Sequence, residues 1–213
     1  MHTSSGACES KCYCKVAAHS PKLIVITGGP GAGKTAVLEM ARKNFCQHVA
    51  VLPEAASIIF GGGFWRLDTD SASMAAQRAI FHVQRELEQM VLDDSNWAMG
   101  LCDRGTLDGL AYWPAQEELY WQQVGSGPAT ELSRYQAVVH LRTPSLKLGY
   151  NHANTLRIES PQEARAIDQR IEKIWSAHPR YVQIDSSIDF IDKARLAIQA
   201  IEGLIPECCR LPA

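Results

Sequence analysis

The feature that most constrains this chain is the run Gly28-Gly-Pro-Gly-Ala-Gly33-Lys34-Thr35. It satisfies G-x-x-x-x-G-K-[ST], and its surroundings suit the motif's mechanics. The apolar, β-branched stretch Lys22–Thr27 enters it as a buried strand. A helix over Ala36–Phe45 leaves it, with Val37, Leu38, Ala41 and Phe45 on one side. Glycines let successive backbone N–H groups turn toward an anion, and the helix N-terminus adds the positive end of its dipole. Gly28, Gly29, Pro30, Gly31, Ala32, Gly33, Lys34, Thr35 and Ala36 are therefore expected to hold nucleotide phosphates. Lys34 can reach the β- and γ-phosphates, and Thr35 can offer its hydroxyl to Mg²⁺. A dinucleotide turn does not fit, because a G-x-G-x-x-G starting at Gly29 needs glycine where Lys34 stands. The sequence has no N-K-x-D guanine-reading motif, which favours ATP over GTP.

The remaining pattern supplies a sheet for this loop. His48–Leu52, Trp97–Cys102, Tyr135–Leu141 and Tyr181–Ile184 read as further strands, with helical segments between them. The longest helix carries an apolar stripe, Ala76, Ile80, Val83, Leu87 and Met90. Gln77, Arg78, Gln84, Arg85 and Glu88 form its polar face. Thr106–Trp113 and Glu117–Val124 are predicted helical, and Gly125–Pro128 is predicted to be a loop. Ser160-Pro161-Gln162-Glu163 is a helix start with a capping box and proline at the first position. Ile188 to Ile201 give a last amphipathic helix. This alternation predicts an α/β fold, a three-layer sandwich with a parallel sheet and helices on both faces.

One domain is expected over 21–205, with a flexible tail at 1–20 and a C-terminal tail at 206–213. At 46% hydrophobic and 21% charged residues the composition is that of a globular protein, not a disordered one. A net charge of -2 gives no footprint for nucleic acid, so no nucleic-acid partner is expected. No apolar run is long enough to span a membrane, and the first twenty residues lack the apolar stretch of a secretory signal. Seven cysteines are present. Cys46 and Cys102 read as buried thiols, and Cys208 and Cys209 are adjacent near the C-terminus. Cys8, Cys12 and Cys14 crowd a polar head; their C-x3-C-x-C spacing is not a zinc pattern and would need a fourth ligand such as His19. Reduced thiols, and hence a cytoplasmic location, are expected.

Three charged groups stand where chemistry would need them. Asp103 ends a buried strand beside the phosphate loop, a common place for a carboxylate that holds Mg²⁺. Glu54 stands at the tip of the second strand, on the ligand edge of a parallel sheet, where it can orient or deprotonate an acceptor hydroxyl. Arg104 can pair with a phosphate or a substrate anion. Asp108 reads as a helix-face residue. Beyond the fourth strand, Arg157 and Arg165 are candidates for a lid that neutralises a moving phosphoryl group, whereas Arg170 reads as solvated.

Together these segments resemble a known family. The resemblance rests on Gly28–Thr35, Leu52-Pro-Glu-Ala-Ala56, Asp103-Arg-Gly-Thr-Leu-Asp108 and Val138-Val-His-Leu-Arg-Thr-Pro144, within residues 22–203. The chain is similar to the P-loop AAA-like ATPase/kinase family related to the nicotinamide-riboside kinase domain, and more distantly to deoxynucleoside and thymidylate kinases. That resemblance implies a P-loop NTPase fold with a five-stranded sheet in order 2-3-1-4-5. It makes Glu54 the substrate-side base, Asp103-Arg104 the acid–arginine pair, and the segment holding Arg157 the lid. It also places 61–93 on the acceptor side, with Arg78 and Arg85 as partners for an anionic acceptor. The expected reaction is transfer of the γ-phosphoryl of ATP to a nucleoside, nucleotide or similar acceptor, with Mg²⁺. The alternative is a nucleotide-dependent switch, using ATP or GTP, that recognises a protein or lipid. It is motivated by Gly61-Gly-Gly-Phe64-Trp65, although these aromatics are expected to fold back into the core.

Overall fold

The computed structural model describes residues 14, 18–144, 160–186 and 189–210. Among them, β1 (Lys22–Thr27), β2 (Val49–Leu52), β3 (Met99–Asp103), β4 (Tyr135–Leu141) and β5 (Tyr181–Ile184) form one sheet. Its order is β2-β3-β1-β4-β5 and every pairing is parallel. The helices are α1 (Lys34–Asn44), α2 (Ala55–Gly61), α3 (Asp70–Leu92), α4 (Glu117–Val124), α5 (Pro128–Ser133), α6 (Pro161–Trp175) and α7 (Phe190–Glu202). Short 3-10 segments cover Thr106–Tyr112 and Glu207–Cys209.

The central strand explains the three layers. β1 is buried on both faces, so its alternate residues serve two cores. Ile24 and Ile26 pack with Val37, Leu38 and Ala41 of α1 and Ala194, Ala197 and Ile201 of α7. Leu23 and Val25 pack with Phe81 of α3, Tyr120 of α4, and Ile167, Ile171 and Trp175 of α6. Because all strands run one way, their C-terminal ends share one edge. The phosphate loop follows β1 there, Glu54 follows β2, and Asp103 closes β3.

Four elements depart from expectation. Pro128 opens α5 at its first turn, where only a loop was predicted. Residues 106–112 wind as a 3-10 helix, tightened where Asp108 Oδ2 accepts the Gly105 N–H at 3.0 Å. In α3 the buried positions are Ala76, Gln77, Phe81, Gln84, Glu88 and Val91, while Met90 is 70% exposed. The face toward the protein is thus rotated onto residues read as polar surface. The predicted C-terminal tail includes the 3-10 turn Glu207–Cys209, whose Cys209 is buried in the α1–α7 core. Among the described residues no helix is long and apolar enough to cross a membrane.

Candidate active site

The phosphate loop begins the site. Gly33 has φ +97°, a conformation that L side chains rarely adopt, and a Cβ there would lie 2.9 Å from the Phe190 ring. Gly29 is required by close approach: a Cβ would come within 2.6 Å of Thr143 Oγ1 and 2.7 Å of Ala164 O. The loop is also held from outside. The Gly29 N–H donates to Asp168 Oδ1 at 2.9 Å, and Lys193 Nζ donates to Ala32 O at 2.8 Å. Lys34 curls back over the loop, donating to Gly28 O at 2.9 Å and Gly29 O at 3.2 Å. Burial and the nearby Arg104 guanidinium pull its ammonium down to about 8, against the attraction of Asp103, Glu54 and Asp108. Thr35 stands exposed in the first turn of α1, beside Lys34 on the cavity wall.

Across the cavity lie the strand-tip acids. Asp103 is buried, and its Oδ1 has no hydrogen-bond partner among the described residues. Burial pushes its carboxyl up to about 6, with Lys34 opposing. A buried carboxylate oxygen without a partner is costly unless a cation or water meets it. Together with the exposed Thr35 hydroxyl it makes an oxygen donor set that fits Mg²⁺. Arg104 is the sole non-glycine residue with positive φ among those described, at 72°. That turn aims Nε at Glu54 Oε1 (2.7 Å) and Nη1 at Gly28 O and Asp108 Oδ1 (3.3 Å each). Burial pushes the Glu54 carboxyl up, but Arg104, Lys34 and a hydrogen bond from Ser57 outweigh it and hold it at about 2. Glu54 is therefore a fixed anion rather than a strong base.

Asp108 is not the helix-face residue expected. It is buried and accepts from Thr27 Oγ1 (2.6 Å), the Gly105 N–H (3.0 Å), Trp175 Nε1 (2.9 Å) and Arg104. It ties β1, the 3-10 segment and α6 together beneath the site. Asp168 does similar work for the phosphate loop. Besides the Gly29 N–H it meets buried His140 Nε2 at 2.9 Å and Arg142 Nε at 3.2 Å. Asp168 and Lys193 were not anticipated. Each lies on an amphipathic helix where a charged residue ordinarily faces water, and no local pattern distinguishes them.

A cavity of about 600 Å³ runs from Lys34 and Thr35, past Glu54, Asp103 and Arg104, to an inner wall made by α3. Ala76, Gln77, Ile80, Phe81 and Gln84 form that wall. The segment 61–93 thus borders the cavity, but Arg78 and Arg85 do not. Arg78 donates to Gln123 at 2.6 Å, and Arg85 pairs with buried Glu131 at 2.9 Å, so both brace α3 against its neighbours. Phe64 and Trp65 do not fold into the core as expected. Trp65 is 77% exposed at the cavity mouth, and Phe64 meets Phe60 edge-on. Arg165 is half-buried on α6 and is not among the cavity-lining residues. Arg157 lies outside the described residues.

The phosphate loop, the strand-tip acids and the sheet order define a P-loop kinase-like fold. Residues 23–193 match the family model described as an AAA domain, and the chain belongs to that family. No curated protein matches it. Among solved structures, NadR in complex with NAD and AMP-PNP is similar at 17% identity and TM-score 0.59, with 91% of this chain and 52% of that one covered. NadR in complex with NR aligns at 16% identity and TM-score 0.60, covering 87% of this chain and 52% of that one. Deoxyadenosine kinase from M. mycoides, with dCMP and a flexible dCDP bound, aligns at 14% identity and TM-score 0.54, covering 85% and 99%. This chain spans about half the length of the NadR chains it matches. At these identities the likeness is one of fold.

Proposed function

We propose that this protein is an ATP-dependent kinase that transfers a γ-phosphoryl group to a nucleoside, nucleotide or similar small acceptor. The observation that carries the reading is the single cavity joining Lys34 and Thr35 to the α3 wall, with Glu54, Asp103 and Arg104 between them. Phosphoryl transfer asks little covalent chemistry of side chains; it asks for alignment and charge. The backbone of Gly28–Thr35 would bind the phosphates, and Lys34 would leave its two carbonyls to meet the β- and γ-oxygens. Thr35 and Asp103 would hold Mg²⁺, which when bound offsets the charge on the β- and γ-phosphates. Glu54, kept ionised by Arg104, would accept the acceptor's hydroxyl hydrogen bond and aim its oxygen. Arg165 would add positive charge from α6. The α3 wall carries two buried amides, Gln77 and Gln84, among Phe81 and Ile80, which suits a flat acceptor with hydrogen-bonding edges. The NadR and deoxyadenosine kinase structures, with NAD, AMP-PNP, NR and dCMP as bound groups, support this class of substrates.

The test is transfer of label from γ-labelled ATP across nucleosides, nucleotides and vitamin ribosides. A labelled product that Lys34→Ala abolishes supports the kinase. ATP binding without any labelled acceptor contradicts it. That outcome would favour the second reading, a nucleotide-dependent switch, for which the observation is exposed Trp65 at the mouth of the same cavity.

A further inference from the structure

At the opposite edge of the sheet, where the strands begin, the fold gathers a second set of reactive side chains. His19 precedes β1 and is fixed by its backbone N–H to Ser95 O at 2.7 Å, in the loop that leads to β3. Cys14 comes from the N-terminal segment, and Cys208 and Cys209 come from the terminal 3-10 turn, where the Cys209 N–H bonds Pro206 O at 2.9 Å. One donor atom from each of Cys14, His19, Cys208 and Cys209 lies within 4.8 Å of all the others. Cys14 Sγ is 3.6 Å from His19 Nε2, and the Cys208 and Cys209 sulfurs are 3.8 Å apart.

These two separations match the edges of a metal-ligand tetrahedron. Zn–S bonds of about 2.3 Å and a Zn–N bond of about 2.0 Å, set at tetrahedral angles, put ligand atoms roughly 3.5–3.8 Å apart. We propose that Cys14, His19, Cys208 and Cys209 form a closed, four-coordinate structural zinc site that clips the N-terminal segment to the C-terminal turn. Three thiolates and one imidazole select a soft, tetrahedral cation over Mg²⁺ or Ca²⁺. On binding, three thiol protons pass to solvent and no electron moves. Cysteine spacing hid this site because its ligands lie at the two ends of the chain, and only the fold joins them. A second group, Cys46, His48 and Cys209, shares the Cys209 sulfur. Its closest approach, Cys46 Sγ to His48 Nδ1 at 3.1 Å, and the His48 ring 4.9 Å from that of His19, make it the surrounding shell of the site.

The test uses the full chain, reduced, loaded with Zn²⁺ and freed of excess metal. Elemental analysis should find about one zinc per chain. Co²⁺ in its place should give tetrahedral ligand-field bands and thiolate-to-cobalt charge transfer. Cys14→Ser and Cys208→Ser should each weaken zinc binding by at least about a hundredfold, since even losing an outer-shell partner costs about 10–100-fold. Cys46→Ser should cost clearly less than either, because Cys46 belongs to the surrounding shell and does not ligate. Nucleotide binding at the distant phosphate loop reports whether each variant is folded. Should a variant fail to fold, X-ray absorption on the wild-type protein decides, with three sulfur neighbours and one nitrogen expected. Absence of bound zinc with every thiol reduced would overturn the site. So would affinity that ignores both Cys14→Ser and Cys208→Ser, or a stable Cys14–Cys208 disulfide in non-reducing mass spectrometry.

Discussion

Arg104 holds a left-handed backbone conformation, φ 72°, which costs a non-glycine residue about 1–2 kcal/mol. The surrounding bonds to Glu54, Gly28 O and Asp108 hold it there, and together they align the two sides of the cavity. Replacing Glu54 with glutamine should cut phosphoryl transfer by roughly 10²-fold, the scale of a misaligned reacting group. ATP affinity, read by calorimetry, should change far less. The same variant has a signature in stability. Glu54 titrates at about 2 in the fold against an ordinary 4.5, so it stabilises the protein above about pH 4.5. That contribution fades as pH falls toward 2. Urea midpoints measured down this range should fall less steeply in Glu54→Gln than in the wild type; parallel slopes would contradict the ion pair. Glu54, Asp103 and Arg104 were legible in the sequence because they follow short apolar strands, and a parallel sheet brings its strand tips to one edge. Asp108, Asp168 and Lys193 were not, since their partners Thr27, Gly29, His140 and Ala32 lie 28 to 161 residues away.

Among elements, α3 shows where periodicity stops being informative. Its length and helicity follow from sequence, and Thr69 caps it by accepting from the Ala72 N–H at 3.3 Å. Its inward face does not follow, because that face carries polar residues, some lining the cavity and others paired inside the fold. Gln84 donates to Glu88 at 2.9 Å, and Glu88 pairs with Arg134 and Tyr135, so polar residues are buried with their partners. A stripe of apolar residues points to a core, not to a binding site. Helix α6 shows the converse. Its capping box is legible and present: Ser160 Oγ accepts the Glu163 N–H at 3.3 Å, and Glu163 Oε2 accepts the Ser160 N–H at 2.7 Å. Ser160→Ala should cost about 1 kcal/mol in urea unfolding. Asp168→Ala, on the same helix, should cost more, about 2 kcal/mol or above, because it strands buried donors on Gly29 and His140. It should also weaken nucleotide binding, which Ser160→Ala should not.

At the scale of the molecule, one sheet separates two assignments. The strands' C-terminal edge carries the cavity proposed to hold nucleotide and acceptor, and their N-terminal edge carries the cysteine–histidine cluster. The parallel sheet and its layers were legible from the alternation of apolar strands and helices, whereas the strand order was implied by the family resemblance. The cluster was not legible, because ligands from both chain ends meet only after the sheet is built. One continuous cavity is proposed to hold both the phosphoryl donor and its acceptor. The most direct test follows the fate of γ-label when protein, Mg²⁺ and ATP meet the acceptor panel, in the wild type and in Ala72→Trp, which fills the acceptor end beside α3. Labelled acceptor is expected from the wild type. Ala72→Trp should show at least about a tenfold loss of that product with ATP affinity retained, a difference of about 1.4 kcal/mol in the barrier. Label released only as inorganic phosphate from both proteins, or transferred equally by both, would contradict the shared cavity.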